Sequence, residues 1–148
     1  MKKTPLSAFF IAILCSGIGN IQAQVKDPLT GSWVTFDDET NQPAAVVLIS
    51  EKNGLFSGVI TKLLDPTAPQ ICEKCSDYRK GKPVLGMEIL SGLSKSADSY
   101  SGGQILDPDN GELYKVAIKL TEQGNKLDLR AYIGFPLLGR TQTWVKEK

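Results

Sequence analysis

Apolar residues recur at every second position in several parts of this chain. Across residues 44–51, Ala45, Val47 and Ile49 fall on one face and Val46, Leu48 and Ser50 on the other. Residues 113–120 set Tyr114, Val116, Ile118 and Leu120 against Lys115 and Lys119. Residues 126–133 set Leu127, Leu129, Ala131 and Ile133 against Asp128, Arg130 and Tyr132. A period of two belongs to strands, whose side chains alternate between faces. Segments 31–36, 55–63, 84–93, 100–106 and 141–146 add five more strands, making eight. Between them lie turn residues: Pro43 after a polar run, Asn53-Gly54, Lys95 to Asp98, Asp107-Pro-Asp-Asn-Gly111, Gln123-Gly-Asn125, and a corner at Gly134 to Gly139 containing Pro136. No helical period of any length occurs. The pattern predicts an all-β, antiparallel domain, either a sandwich or an up-and-down barrel. Eight sequential strands is the number at which a barrel closes around its own side chains or one small ligand. Lysines on the strand faces and the lack of aromatic girdles argue against a barrel in a membrane.

One segment breaks the rhythm. Residues 64–83 hold Pro66, Pro69, Cys72, Cys75, Gly81 and Pro83 and read as a long loop. Loops of this length in compact domains are usually lids, binding loops or stapled excursions.

The N-terminus follows a different logic. Lys2-Lys3, an apolar run from Leu6 to Leu14 broken by Ser7, and Ala23 before Gln24 predict a secretory signal peptide over residues 1–23. The apolar run is too short to span a bilayer, so no membrane span is expected after cleavage. A flexible lead-in over 24–30 and a single barrel domain over 31–148 would remain. Cleavage lowers the basic residues from 17 to 15 against 16 acidic ones, for a net charge of −1. That balance leaves no electrostatic footprint for nucleic acid. Export implies a bacterial periplasm or the cell exterior, both oxidising.

In such a compartment Cys72-Glu-Lys-Cys75 reads first as a local disulfide bracing the long loop. A redox-active pair needs a βαβ setting that is lacking here. Zinc needs four ligands, and the chain has no histidine. The lack of histidine also removes the commonest general base and every Ser-His or Cys-His nucleophile. Asp107, Asp109 and Glu88 are the remaining carboxylates that an enzyme reading would draw on. Turn chemistry alone explains Asp107 and Asp109. The chain is therefore expected to be no enzyme, with no metal and no cofactor.

Gly31-Ser-Trp33 opens the first strand of this eight-stranded pattern. That placement resembles the signature of the calycin superfamily, the lipocalins and their relatives. The resemblance implies that Trp33 closes one end of a calycin-like barrel and that a cation of the last strand packs over its indole. Arg140 and Lys146 both flank Trp144 there, and Arg140 is the choice for this clasp, which with Trp144 closes the barrel beside Trp33. At family level, Gly31-x-Trp33, Cys72-x-x-Cys75, Gly81-Lys-Pro-Val-Leu-Gly86, Gly102-Gly-Gln-Ile-Leu-Asp-Pro108 and Gly134-Phe-Pro-Leu-Leu-Gly-Arg-Thr-Gln-Thr-Trp144 resemble the successive motifs of domain of unknown function 2147, a family of small exported bacterial proteins. One departure is Ala131, where that family usually has Gly. The resemblance implies an envelope barrel and transfers no catalytic residue.

The expectation is thus a non-enzymatic binder of a small apolar or amphiphilic molecule. Arg130 and Tyr132 share a strand face and are the candidate ligand contacts if that face points inward; outward, they are ordinary surface residues. The alternative is a structural or interaction module of the envelope that uses the 64–83 loop.

Overall fold

A computed structural model of the protein describes residues 25–148; the predicted signal peptide lies outside the described residues. Eight strands run β1 (Gly31–Phe36), β2 (Pro43–Lys52), β3 (Leu55–Leu63), β4 (Glu88–Ser96), β5 (Ser99–Leu106), β6 (Leu113–Thr121), β7 (Lys126–Tyr132) and β8 (Arg140–Lys146). Each pairs antiparallel with the next, and β8 returns to β1 through Trp33 opposite Lys146 and Val34 opposite Val145. The result is the closed up-and-down barrel that the alternation predicts.

The period-two apolar sets form the interior, except Ile133, which is exposed just beyond the end of β7. Val116 and Ile118 of β6 lie opposite Ala131 and Leu129 of β7, and all four are buried. Burying one large aliphatic side chain contributes roughly 1.5–3 kcal/mol. Two glycines let neighbouring strands approach. A Cβ on Gly103 would sit 2.4 Å from the Ser91 carbonyl oxygen, and one on Gly58 would sit 2.9 Å from Val47 Cγ1. The pairing register shifts beside both, between Tyr100 and Gly103 and between Phe56 and Gly58, which bends the sheet toward closure.

The strand boundaries agree with the sequence reading to within one residue except at β4. β4 begins at Glu88, not Val84, and extends to Ser96. Residues 84–87 form a turn, with Met87 N–H donating to the Val84 carbonyl at 3.1 Å and Gly86 at φ +85°. This turn is stitched to β3, because Gly86 N–H donates to the Ile60 carbonyl at 2.8 Å. Within the predicted lead-in, residues 27–30 pack onto the barrel base. Thr30 N–H closes a turn onto the Asp27 carbonyl at 2.9 Å, and Leu29 is fully buried.

With an even number of strands, the barrel ends are distinct. The base carries the 53–54, 97–98 and 122–125 turns plus the lead-in. The mouth carries the 37–42, 64–87, 107–112 and 133–139 connections.

Candidate functional site

The mouth leads into a cavity of about 340 Å³. Its walls are apolar: Ala45 and Val47 from β2, Ile60 from β3, Ile105 from β5, Leu129 and Ala131 from β7, and Trp144 from β8. Ala68, Pro69 and Val84 of the long loop also line it. The loop is therefore partly a roof, and Val84 and Met87 belong to the buried core.

A polar chain descends from the rim along the inward face of β8. The Arg140 guanidinium spans two mouth turns, pairing with Asp38 at 2.8 Å and Asp107 at 2.9 Å. Its charge also lies 5.8 Å from the Tyr114 ring centroid. Below it, Gln142 Nε2 donates to Asp38 at 2.7 Å, and Trp144 Nε1 donates to Gln142 Oε1 at 3.1 Å. Each inward polar group thus holds the next, which orients Trp144 against the cavity.

Carboxylates dominate this rim. Asp37 and Asp107 hold their turns, accepting backbone N–H donors from Thr40 at 2.7 Å and Asp109 at 3.0 Å. The Asp37 hydrogen bonds from Thr40 lower its pKa. Asp109 is shifted the other way: desolvation raises its pKa, and the charges of Asp107, Asp37 and Asp65 raise it further.

The long loop is tied down at two levels. Cys72 and Cys75 form a disulfide, and both are buried. A short ladder flanks it, with Cys72 N–H donating to the Lys82 carbonyl and Gly81 N–H to the Cys72 carbonyl. Arg79 is also buried, and its Nε and Nη2 reach Asp77 while Nη1 donates to the Glu88 carbonyl at 3.0 Å. The Cys-x-x-Cys turn then presses on the 107–112 turn. A Cβ on Gly111 would lie 2.1 Å from the Lys74 carbonyl oxygen, so only glycine fits that position.

The base has its own network. Lys146 Nζ lies 5.1 Å from the Trp33 ring centroid and donates to the Pro28 carbonyl at 2.9 Å. Trp33 Nε1 donates to the Leu29 carbonyl at 2.8 Å. The Asp27 carboxylate accepts from Tyr100 Oη at 2.6 Å, Lys95 Nζ at 2.8 Å and Leu29 N–H at 3.0 Å. Burial alone would raise the Asp27 pKa, but these donors outweigh it and hold the carboxyl below its ordinary value. Burial, then the Asp27 hydrogen bond, pushes Tyr100 up to about 12.

The clasp over Trp33 is therefore Lys146 and not Arg140. Arg140 sits at the other end of β8, bridging the mouth. Trp144 is buried and lines the cavity. Arg130 and Tyr132 do not line it, because their strand face points outward. Arg130 Nε donates to the Pro136 carbonyl at 2.8 Å and Nη1 to Thr141 Oγ1 at 3.1 Å, which holds the β7–β8 corner. Glu88 is exposed at the start of β4, and Asp107 and Asp109 belong to the rim. Among the described residues no group of Cys, Asp and Glu is arranged to hold a metal ion, and no helix is long and apolar enough to cross a membrane. Sequence reasoning missed Asp38 and Gln142, and it weighed Lys146 but chose Arg140 in its place. For Gln142 and Lys146 the signal was present, because Arg140, Gln142, Trp144 and Lys146 alternate onto one face of β8.

No curated protein sequence matches this chain. Among solved structures, HP1028 from Helicobacter pylori, described as belonging to the lipocalin family, superposes with a TM-score of 0.71. The match covers 81% of this chain and 83% of that one, at 23% sequence identity, and so bears on fold alone. Residues 31–146 match the family model described as "Uncharacterized protein conserved in bacteria (DUF2147)". That match spans nearly the whole barrel domain, and the chain belongs to the DUF2147 family.

Proposed function

We propose that this is an exported, non-enzymatic protein that binds a small, partly apolar molecule in the barrel cavity. The observation that carries this reading is the apolar cavity of about 340 Å³ under the mouth, a volume within the usual range of small-molecule sites. Trp144 in its wall supplies an intrinsic reporter. The lipocalin-like fold of the Helicobacter pylori protein supports a binding role by analogy of fold only. The predicted leader and the disulfide fit an oxidising compartment outside the cytoplasm.

Native mass spectrometry of the mature protein, taken from its own periplasm, tests the reading. The expected result is a released small molecule, with occupancy falling in Ala45→Leu and Ala131→Leu, which fill the cavity. Bare protein, together with unchanged Trp144 emission on adding apolar probes, would count against it.

A second reading is an interaction module of the envelope. It draws support from Tyr78 and Leu85, both exposed on the disulfide-braced loop. On that reading Tyr78→Ser with Leu85→Ser abolishes capture of an envelope partner; unchanged capture removes it.

A further inference from the structure

The cavity is apolar, but its rim carries more negative charge than the fold requires. Among its lining residues are five carboxylates, Asp37, Asp38, Glu39, Asp107 and Asp109, against one cation, Arg140. Asp37 and Asp107 are accounted for as turn residues that accept backbone N–H groups. Glu39 and Asp109 hold no backbone donor of these turns, so the turn role that the sequence suggests for Asp109 falls to Asp107. Neither side chain has a hydrogen-bond or ion-pair partner among the described residues. The charge of Arg140 is already shared between Asp38 and Asp107.

We infer that the cavity selects a cationic amphiphile: an ammonium head held at the acidic rim, where Glu39 and Asp109 carry unshared charge, with its apolar tail among Val47, Ile105 and Leu129. This rests on the binding role proposed above and names the class of molecule bound. A cleft of one charge sign with low-dielectric walls focuses its field and concentrates ligands of opposite sign. An anionic amphiphile meets the reverse situation. It could reach Arg140 only by displacing Asp38 or Asp107, which would leave that carboxylate unpaired beside the others. Desolvation first, then the charges of Asp107, Asp37 and Asp65, raise the Asp109 pKa against a small opposing effect of Lys74, and a cation at the rim relieves the repulsive part.

Titrating the mature protein with octylamine, octanol and octanoate, read by Trp144 emission and calorimetry, tests this, since the three share a tail and differ in head charge. Octylamine is expected to bind about tenfold or more tighter than octanol, with octanoate weakest. The advantage should shrink as salt is raised. The double variant Glu39→Gln with Asp109→Asn, both exposed substitutions, should narrow the gap between amine and alcohol. Octanol or octanoate binding as tightly as octylamine overturns the inference while leaving a binding cavity in place. Binding of none of the three overturns the cavity reading itself.

Discussion

The two ends of this barrel take a cation from the same face of the same strand and use it in opposite ways. At the base, Lys146 covers the Trp33 indole and caps the Pro28 carbonyl, over the buried Leu29. At the mouth, Arg140 stands half exposed between Asp38 and Asp107, above an apolar cavity. The base is sealed, and its polar groups are satisfied within the fold. The mouth is wet, acidic and held by ion pairs that solvent screens. The packed base and the open cavity are thereby separated along the barrel axis, so the mouth can change its chemistry without unfolding the base.

The separation can be broken most directly at Trp33. Trp33→Ala empties the sealed end and is expected to cost about 3–5 kcal/mol in urea denaturation. A loss no greater than at a surface position would show that the base is not the stabilising end. Next is the disulfide. Replacing Cys72 and Cys75 by Ser removes a short-loop crosslink worth about 2 kcal/mol on the chain-entropy model. Hydrogen exchange should then quicken in residues 70–84 and 107–112 and not at the base; faster exchange around Trp33 would contradict the division.

Asp27→Asn removes a carboxylate that accepts three donors, and about 1.5–2 kcal/mol is expected at pH 7. Its pH dependence sharpens the test. The folded Asp27 pKa lies below the unfolded one, so its stabilisation is fully present above about pH 4 and fades as pH falls through the folded value. The stability gap between the two proteins should therefore close under acid, and a gap independent of pH would reject the charge as the cause. The smallest effect belongs to Arg140→Gln. Exposed ion pairs contribute little, and less than about 1 kcal/mol is expected. A thermal melt showing a loss comparable to Trp33→Ala would make the mouth structural after all.

Much of this was legible in the sequence, because alternation is a local signal. The eight strands follow from period-two apolar positions and turn residues, and the Cys72–Cys75 pairing from spacing and compartment. Even the orientation of Arg130 and Tyr132 was readable, since Leu127, Leu129 and Ala131 occupy the other face. The choice of Arg140 over Lys146 failed for a topological reason. In an even-stranded up-and-down barrel, the start of the first strand and the end of the last share one end, which places Lys146 beside Trp33. What no local pattern could give is the meeting of Asp38, Asp107 and Arg140. They come from two separate connections and the first residue of β8, and only barrel closure brings them to one rim. The packing of Gly111 on Lys74 is hidden for the same reason.

The cap at the base also bears on how the chain reaches its native state. Lys146 donates to the Pro28 carbonyl across 118 positions of sequence. The segment that emerges early can be sealed only by the strand that emerges last. A growing chain can form its successive hairpins, yet Trp33 stays uncovered on one side until β8 arrives. Closure of this barrel is consequently a late, long-range event governed by chain completion. Chains lacking residues 140–148 should populate an open, aggregation-prone sheet with unpaired edges at β1 and β7, not a smaller barrel.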